Sequence, residues 1–285
     1  MKVGIGLPGQ IPGTNGELIV AWARKAEEGP FSSFATVDRL VFPNLEPLMC
    51  LGVAAAVTSR MRLMTTVLLG PLRNAGVLAK QAATLDVLSG GRLTLGLGVG
   101  GREDDFLAAP ARFGGRGRRF EGMLELMKRA WSGENLSDEV GPMGPAPVQS
   151  GGPEILIGGN TPAALSRAGR LGDGFVAGGG GGPAGAEAGY RMVEEAWRES
   201  GRSGKPRFVG IGYFALGPGG LEKGSEVIRS YYGARAESVL NNTASTPEQV
   251  KSTIQSFADV GLDEYVFMPS IPELEQVGRL ADAVG

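Results

Sequence analysis

Short runs rich in Val, Ile, Leu and Thr alternate along this chain with stretches whose apolar residues recur at helical spacing. The runs predict strands over Val3–Leu7, Ser33–Val37, Arg62–Leu69, Leu93–Gly98, Glu154–Gly158, Gly174–Ala177, Phe208–Leu216 and Glu264–Met268. Between them the longer period predicts helices over Gly16–Glu28, Glu46–Thr58, Ala75–Leu88, Gly117–Trp131, Pro162–Leu171, Ala184–Glu199, Pro247–Val260 and Pro272–Val284. An additional helix is predicted over Leu221–Tyr232, after the seventh strand.

Strand and helix alternating eight times within 285 residues predict a (β/α)8 TIM barrel, a single domain over residues 1–285. The strands are near-continuous apolar runs, as expected of a parallel sheet covered on both faces. An open doubly wound sheet is the alternative; it more often brings fewer strands and a second zone of composition. No linker divides this chain. In a barrel the chemistry sits where strands end, which directs attention to Pro8-Gly9-Gln10, Asp38-Arg39, Gly70–Asn74, Gly100–Asp105, Gly159–Pro162, Gly178–Gly182, Gly217-Pro218 and Pro269-Ser270.

Composition narrows the chemistry. There is no histidine, which removes Ser-His-Asp and Cys-His catalysis and any histidine-ligated metal. A lone cysteine, Cys50, leaves neither an internal disulfide nor a cysteine-rich zinc site, so no metal is expected. The net charge of −2 offers no basic stripe for nucleic acid. No apolar run approaches the roughly 18 residues of a spanning helix, and the opening residues show no signal-peptide pattern. A cytoplasmic protein without membrane or nucleic-acid partners is expected.

The segment Gly96–Gly101, GLGVGG, fits G-x-G-x-x-G. A dinucleotide-binding turn, however, places its glycines after the strand and enters a helix at once. Here Gly96 and Gly98 lie inside the strand pattern, and a long polar loop, Arg102 to Gly115, precedes the next predicted helix. Two readings remain: glycines that make room for barrel packing, and glycines that clear space for a cofactor. Gly158-Gly159-Asn160-Thr161-Pro162 is the better phosphate candidate, because a strand ends, two glycines turn and a capped helix begins. An ordinary helix cap looks the same. Asp38-Arg39 reads either as a rim ion pair or as a catalytic pair. The acidic run Arg102–Asp105 reads as a solvated loop unless Arg102 meets an anionic ligand. Lys80, Gln81 and Asp86 read as structural, holding the third helix against the fourth strand. The helix within Leu45–Ser59 is apolar over most of its circumference, which predicts a homodimer through this region, or else burial beneath long loops.

Two blocks, TTVLLGPLRNAGVLAKQAATLDVLSGGRLTLGLGVGGREDDF from Thr65 to Phe106 and PEILIGGNTPAALSRAGRLGDGF from Pro153 to Phe175, resemble the bacterial luciferase-like flavin monooxygenase family. The resemblance implies a barrel that binds FMN or the deazaflavin coenzyme F420 at its C-terminal mouth and acts on a small organic substrate by hydride transfer or oxygenation. By position it implies that Thr65, Thr66 and Val67 lie against the cofactor ring, with a non-prolyl cis peptide near Thr66-Val67. It further implies that Gly100, Gly101, Gly158, Gly159, Asn160 and Thr161 hold the cofactor phosphate. Many members carry an acid followed by histidine at the end of the second strand, where this chain has Asp38-Arg39. Arginine stays protonated, so the expected roles are anion stabilisation by Arg39, with Asp38 fixing Arg39 or relaying a proton. The missing histidine favours the deazaflavin and leaves FMN open. The loops Gly141–Gly152 and Gly178–Ala186 are expected on the substrate side. Two other functions remain in play: a barrel that carries a flavin without turnover, and an unrelated barrel enzyme acting on a sugar phosphate.

Overall fold

The computed structural model describes residues 1–285. The strands are β1 (Lys2–Gly6), β2 (Ser33–Thr36), β3 (Arg62–Thr65), β4 (Leu68–Leu69), β5 (Leu93–Gly98), β6 (Glu154–Gly158), β7 (Gly174–Ala177), β8 (Arg207–Phe214) and β9 (Glu264–Pro269). All pair in parallel in the order β3-β2-β1-β9-β8-β7-β6-β5-β4, and a β3–β5 pairing closes the ring. The predicted third strand, Arg62–Leu69, is the one that divides. Its halves β3 and β4 both run beside β5, so nine strands make eight staves. The break falls at Thr66-Val67, whose peptide bond is cis.

The helices are α1 (Gly16–Glu27), α2 (Pro47–Val57), α3 (Ala75–Leu88), α4 (Glu103–Ala108), α5 (Arg116–Ser132), α6 (Pro162–Leu171), α7 (Gly182–Glu199), α8 (Gly220–Tyr232), α9 (Ala236–Leu240), α10 (Pro247–Asp259) and α11 (Glu275–Val284). Five of them start on a side chain that accepts from the first helical turn: Asn15 for α1, Glu46 for α2, Asn74 for α3, Thr161 for α6 and Thr246 for α10. The predicted polar loop after β5 is corrected by the structure. Glu103–Ala108 is helical, with Glu103, Asp104 and Asp105 in its first turn, where acidic side chains meet the positive end of the helix dipole.

The core has two parts, as closure of a barrel requires. Outside the wall, Ile5, Phe34, Leu63, Leu95, Phe175, Phe208 and Phe267 pack against the helices. Inside it, Ala35, Met64, Leu156, Val209, Tyr213, Val266 and Met268 fill the bore. Ile228, Ala236 and Val239, from α8 and α9, belong to this inner group, so the segment following β8 caps the C-terminal mouth. The N-terminal mouth is polar instead: Arg207 bridges Glu154 and Glu264, and the buried Glu264 accepts from Ser32 and Ser33. Such pairing satisfies charges that burial would otherwise penalise.

Two further expectations are revised. Asp86 is fully buried and accepts from the amides of Val148 and Gln149, while Lys80 donates to the carbonyl of Gly144. Both therefore anchor the connection that follows α5. That connection, Gly141–Gly152, leads from a helix into β6 and lies beside the start of β5, where Gln149 donates to the Leu93 carbonyl. The Gln149 end of this loop stands at the N-terminal side of the barrel, away from the C-terminal mouth. No helix is long and apolar enough to cross a membrane.

Candidate active site

A cavity of about 240 Å³ opens at the C-terminal mouth. It is lined by Val37, Asp38 and Arg39 beyond β2, by Thr66, Val67 and Leu69 at the break in the third stave, by Gly101, Arg102 and Asp105 beyond β5, and by Tyr231, Tyr232 and Arg235 from the cap. The volume lies just below the roughly 300–1,000 Å³ of small-molecule sites, and one side is open.

Asp38 and Arg39 are both buried at this wall, yet they do not pair with each other. Asp38 accepts from the Leu69 amide at 2.9 Å and from Arg73 at 3.0 Å. Burial works against the charge of Arg73, but Asp38 and Glu46 outweigh it and raise its pKa. Arg39 donates to Asp105 at 2.8 Å, to Asp104 at 3.2 Å and to the carbonyls of Val41 and Tyr231. The expectation that Asp38 fixes Arg39 is thus corrected. Asp105, only 1% exposed, holds Arg39 in place and also accepts from the amides of Leu40 and Val41. In the sequence Asp105 reads as part of a solvated loop. The usable signal was that three acids open a short helix and the apolar Phe106 follows.

The expected cofactor residues fall in four places. Thr66, Val67 and Gly101 line the cavity. Thr65 lies beneath it, fully buried, its hydroxyl donating to the Gly96 carbonyl at 2.7 Å. Gly158, Gly159, Asn160 and Thr161 sit on the neighbouring rim at the end of β6, outside the cavity lining. Thr161 caps α6 through its hydroxyl, while the amides of Asn160, Thr161 and Ala163 have no backbone acceptor. Gly100 turns with φ of 74° beside Phe106.

The glycine motif now has a physical account. A Cβ on Gly96 would stand 1.9 Å from the Thr65 carbonyl oxygen, and one on Gly98 would stand 2.7 Å from the Val67 side chain. One on Gly158 would meet Val67 at 2.9 Å. Gly101 is different: nothing lies within 4 Å of the position its Cβ would take. The glycines inside the strands therefore admit the bent third stave, and only the end of the motif faces open space.

The cap supplies two residues that sequence reading did not single out, Tyr231 and Tyr232. Tyr231 donates to the Asp38 carbonyl and Tyr232 to the Tyr213 hydroxyl. Burial pushes all three phenols up, so each stays protonated near neutral pH. The local signal is weak, since Tyr-Tyr at a helix end reads as ordinary packing.

A luciferase-like monooxygenase family model matches residues 1–240. The F420-dependent glucose-6-phosphate dehydrogenase of Beutenbergia cavernae is 35% identical over 182 residues, 55% of this chain and 51% of that one. The chain spans about half the length of the curated relatives it matches, from 37% to 61%. The monooxygenase RslO1 of Streptomyces bottropensis superposes with a TM-score of 0.80 at 23% identity, covering 99% of this chain and 97% of that one. The oxygenating constituent of 3,6-diketocamphane monooxygenase from Pseudomonas putida, in complex with FMN, gives 0.76 at 16% identity over 99% and 98%.

Proposed function

Since this chain belongs to the luciferase-like monooxygenase family, we propose that it is an oxidoreductase that binds FMN or coenzyme F420 at the C-terminal mouth of its barrel and acts on a small organic substrate. The observation carrying this reading is the cavity at the break in the third stave. Val37, Val67 and Leu69 present apolar surface there, and Thr66 and Gly101 bring polar backbone to its edge. A planar ring system fits such a bed. The free amides of Asn160, Thr161 and Ala163 stand on the adjoining rim, where an anionic tail needs donors.

Bound, the cofactor would supply the hydride or oxygen-activating chemistry. The chain's own part is binding, orientation and electrostatics. Asp105 fixes Arg39 at the wall, so its guanidinium is held in place before any ligand arrives. Asp38 is fixed by Arg73 and by the Leu69 amide, which leaves it a held carboxylate at the same wall. Tyr231 and Tyr232 stay protonated and close the apolar side against water. The cap formed by α8 and α9 covers one side of the cavity and leaves the other open.

The helix α2 favours a homodimer. It buries Leu48, Leu51, Ala54 and Ala55 inward yet leaves Met49 60% exposed, with Leu45 and Val53 also exposed. A second copy packed on this face would cover them.

The test is anaerobic titration of the purified protein with FMN and with F420, read by cofactor fluorescence. Saturable micromolar binding of one of them is expected. Binding of neither refutes the reading.

A further inference from the structure

Four guanidiniums stand at or beside the cavity, and they are not equivalent. Arg39 and Arg73 are committed to carboxylates. Arg39 spends four of the five N–H donors of a guanidinium on Asp104, Asp105, Val41 and Tyr231. Arg102 and Arg235 also line the cavity but form no ion pair. Arg102 makes one bond, from Nη2 to the Tyr231 carbonyl at 2.6 Å. The lining carboxylates cannot serve them: Asp105 is taken by Arg39 and two amides, and Asp38 by Arg73 and the Leu69 amide. The lining therefore carries three arginines against two engaged aspartates.

The chain brings these two arginines together through a tight turn. Gly233 ends α8 with φ of 57°, and a Cβ there would stand 3.9 Å from Nη2 of Arg102. That distance is an ordinary contact; the positive φ is what favours glycine here, and the turn it makes leads directly to Arg235. Both guanidiniums also act on the same phenol: burial raises Tyr232, while its bond with Tyr213 and the charges of Arg235 and Arg102 pull it down. Beside them the rings of Tyr231 and Tyr232 are 5.0 Å apart, with Phe42 edge-on to Tyr231 at 5.0 Å.

We propose that Arg102 and Arg235 form a recognition site for an oxyanion, carboxylate or phosphate, on the substrate, which is an organic acid whose apolar body lies along Tyr231 and Tyr232. This rests on the cavity being the substrate cleft of the proposed oxidoreductase. Two unpaired guanidiniums beside an aromatic wall suit such a molecule, because charge-assisted, bidentate bonds to an oxyanion are stronger than bonds between neutral groups. A neutral isostere would leave both guanidiniums without their partner.

The experiment compares benzoate with neutral benzamide, and inorganic phosphate with no addition, by calorimetry on the protein alone and with FMN or F420 present. Arg235→Gln and Arg102→Gln are measured alongside; Arg235 is exposed, so its variant keeps the fold. Benzoate is expected to bind at least about tenfold more tightly than benzamide, and Arg235→Gln to remove most of that preference, the loss of one charge-assisted contact. Equal binding of benzoate and benzamide in every state overturns the proposal. So does a preference that both variants leave intact. If the variants weaken FMN or F420 while sparing benzoate, the anion belongs to the cofactor and the substrate assignment falls. If neither cofactor binds but the benzoate preference holds and responds to the variants, the oxyanion site stands and the oxidoreductase reading is the one that fails.

Discussion

Replacing Gly96 with alanine separates the two roles a glycine-rich strand can have. The new Cβ would lie 1.9 Å from the carbonyl oxygen of Thr65, well inside any tolerated contact. The obstacle is backbone, so no side-chain rotation relieves it. β3 and β5 must part by about 1 Å or more, and the Thr65 hydroxyl, which donates to the Gly96 carbonyl at 2.7 Å, loses its partner. Overpacking of a tight core costs about 1–3 kcal/mol, and the lost buried hydrogen bond adds about 1 kcal/mol. The expected loss is therefore about 2–4 kcal/mol, a fall of roughly 4–8 °C in Tm for a chain of this size. Urea unfolding followed by far-ultraviolet circular dichroism measures it. Gly98→Ala meets a movable Val67 side chain and should lose less, while Gly101→Ala meets nothing and should stay within about 0.5 kcal/mol of the parent. A Gly96→Ala protein as stable as the parent, or a Gly101→Ala protein as damaged as Gly96→Ala, would refute the packing account.

Three other consequences follow from the same geometry. Asp105→Ala strips Arg39 of its buried partner and should cost about 3–5 kcal/mol in urea unfolding; a loss under 1 kcal/mol would show that Asp104 alone suffices. The homodimer proposed through α2 predicts a dimer mass for the parent and a monomer mass for Met49→Asp, which places a charge on that face, in light scattering coupled to size exclusion; a monomeric parent, or an unchanged dimer mass in the variant, refutes that interface. Burial pushes the Cys50 thiol up to about 11. The folded protein thus holds its proton where the unfolded chain, near pH 8.5, releases it. Stability from this group is intact below that pH and is lost as pH rises. Relative to Cys50→Ala, the parent should lose roughly 1–2 kcal/mol between pH 8 and pH 10, and parallel pH profiles would contradict the assignment.

The legibility of this protein in its sequence differs between fold and site. All eight staves and the major helices were readable because each depends on local periodicity, and helix starts such as Asn74 and Thr161 depend on their own side chains. Boundaries shifted by one to three residues, the last helix starting at Glu275 instead of Pro272. The third stave was readable as apolar, but its division was not, since Arg62–Leu69 carries no break in pattern. The site was readable in position, at the ends of the strands, and misread in its pairing. Adjacent Asp38 and Arg39 suggested a pair, yet neighbours on an extended segment point apart, and each found a partner more than thirty residues away.

Periodicity, capping residues and the missing histidine thus determined, from sequence alone, a single parallel barrel whose chemistry cannot run through imidazole. Only the closed structure decided what the glycines admit, which acid holds Arg39, and that α8 returns over the mouth to set Arg102 and Arg235 beside two tyrosines. The physical reason is range. A period or a cap is an interaction within one or two turns, whereas a charge finds its partner, and a Cβ its obstacle, only after closure has brought distant segments into contact.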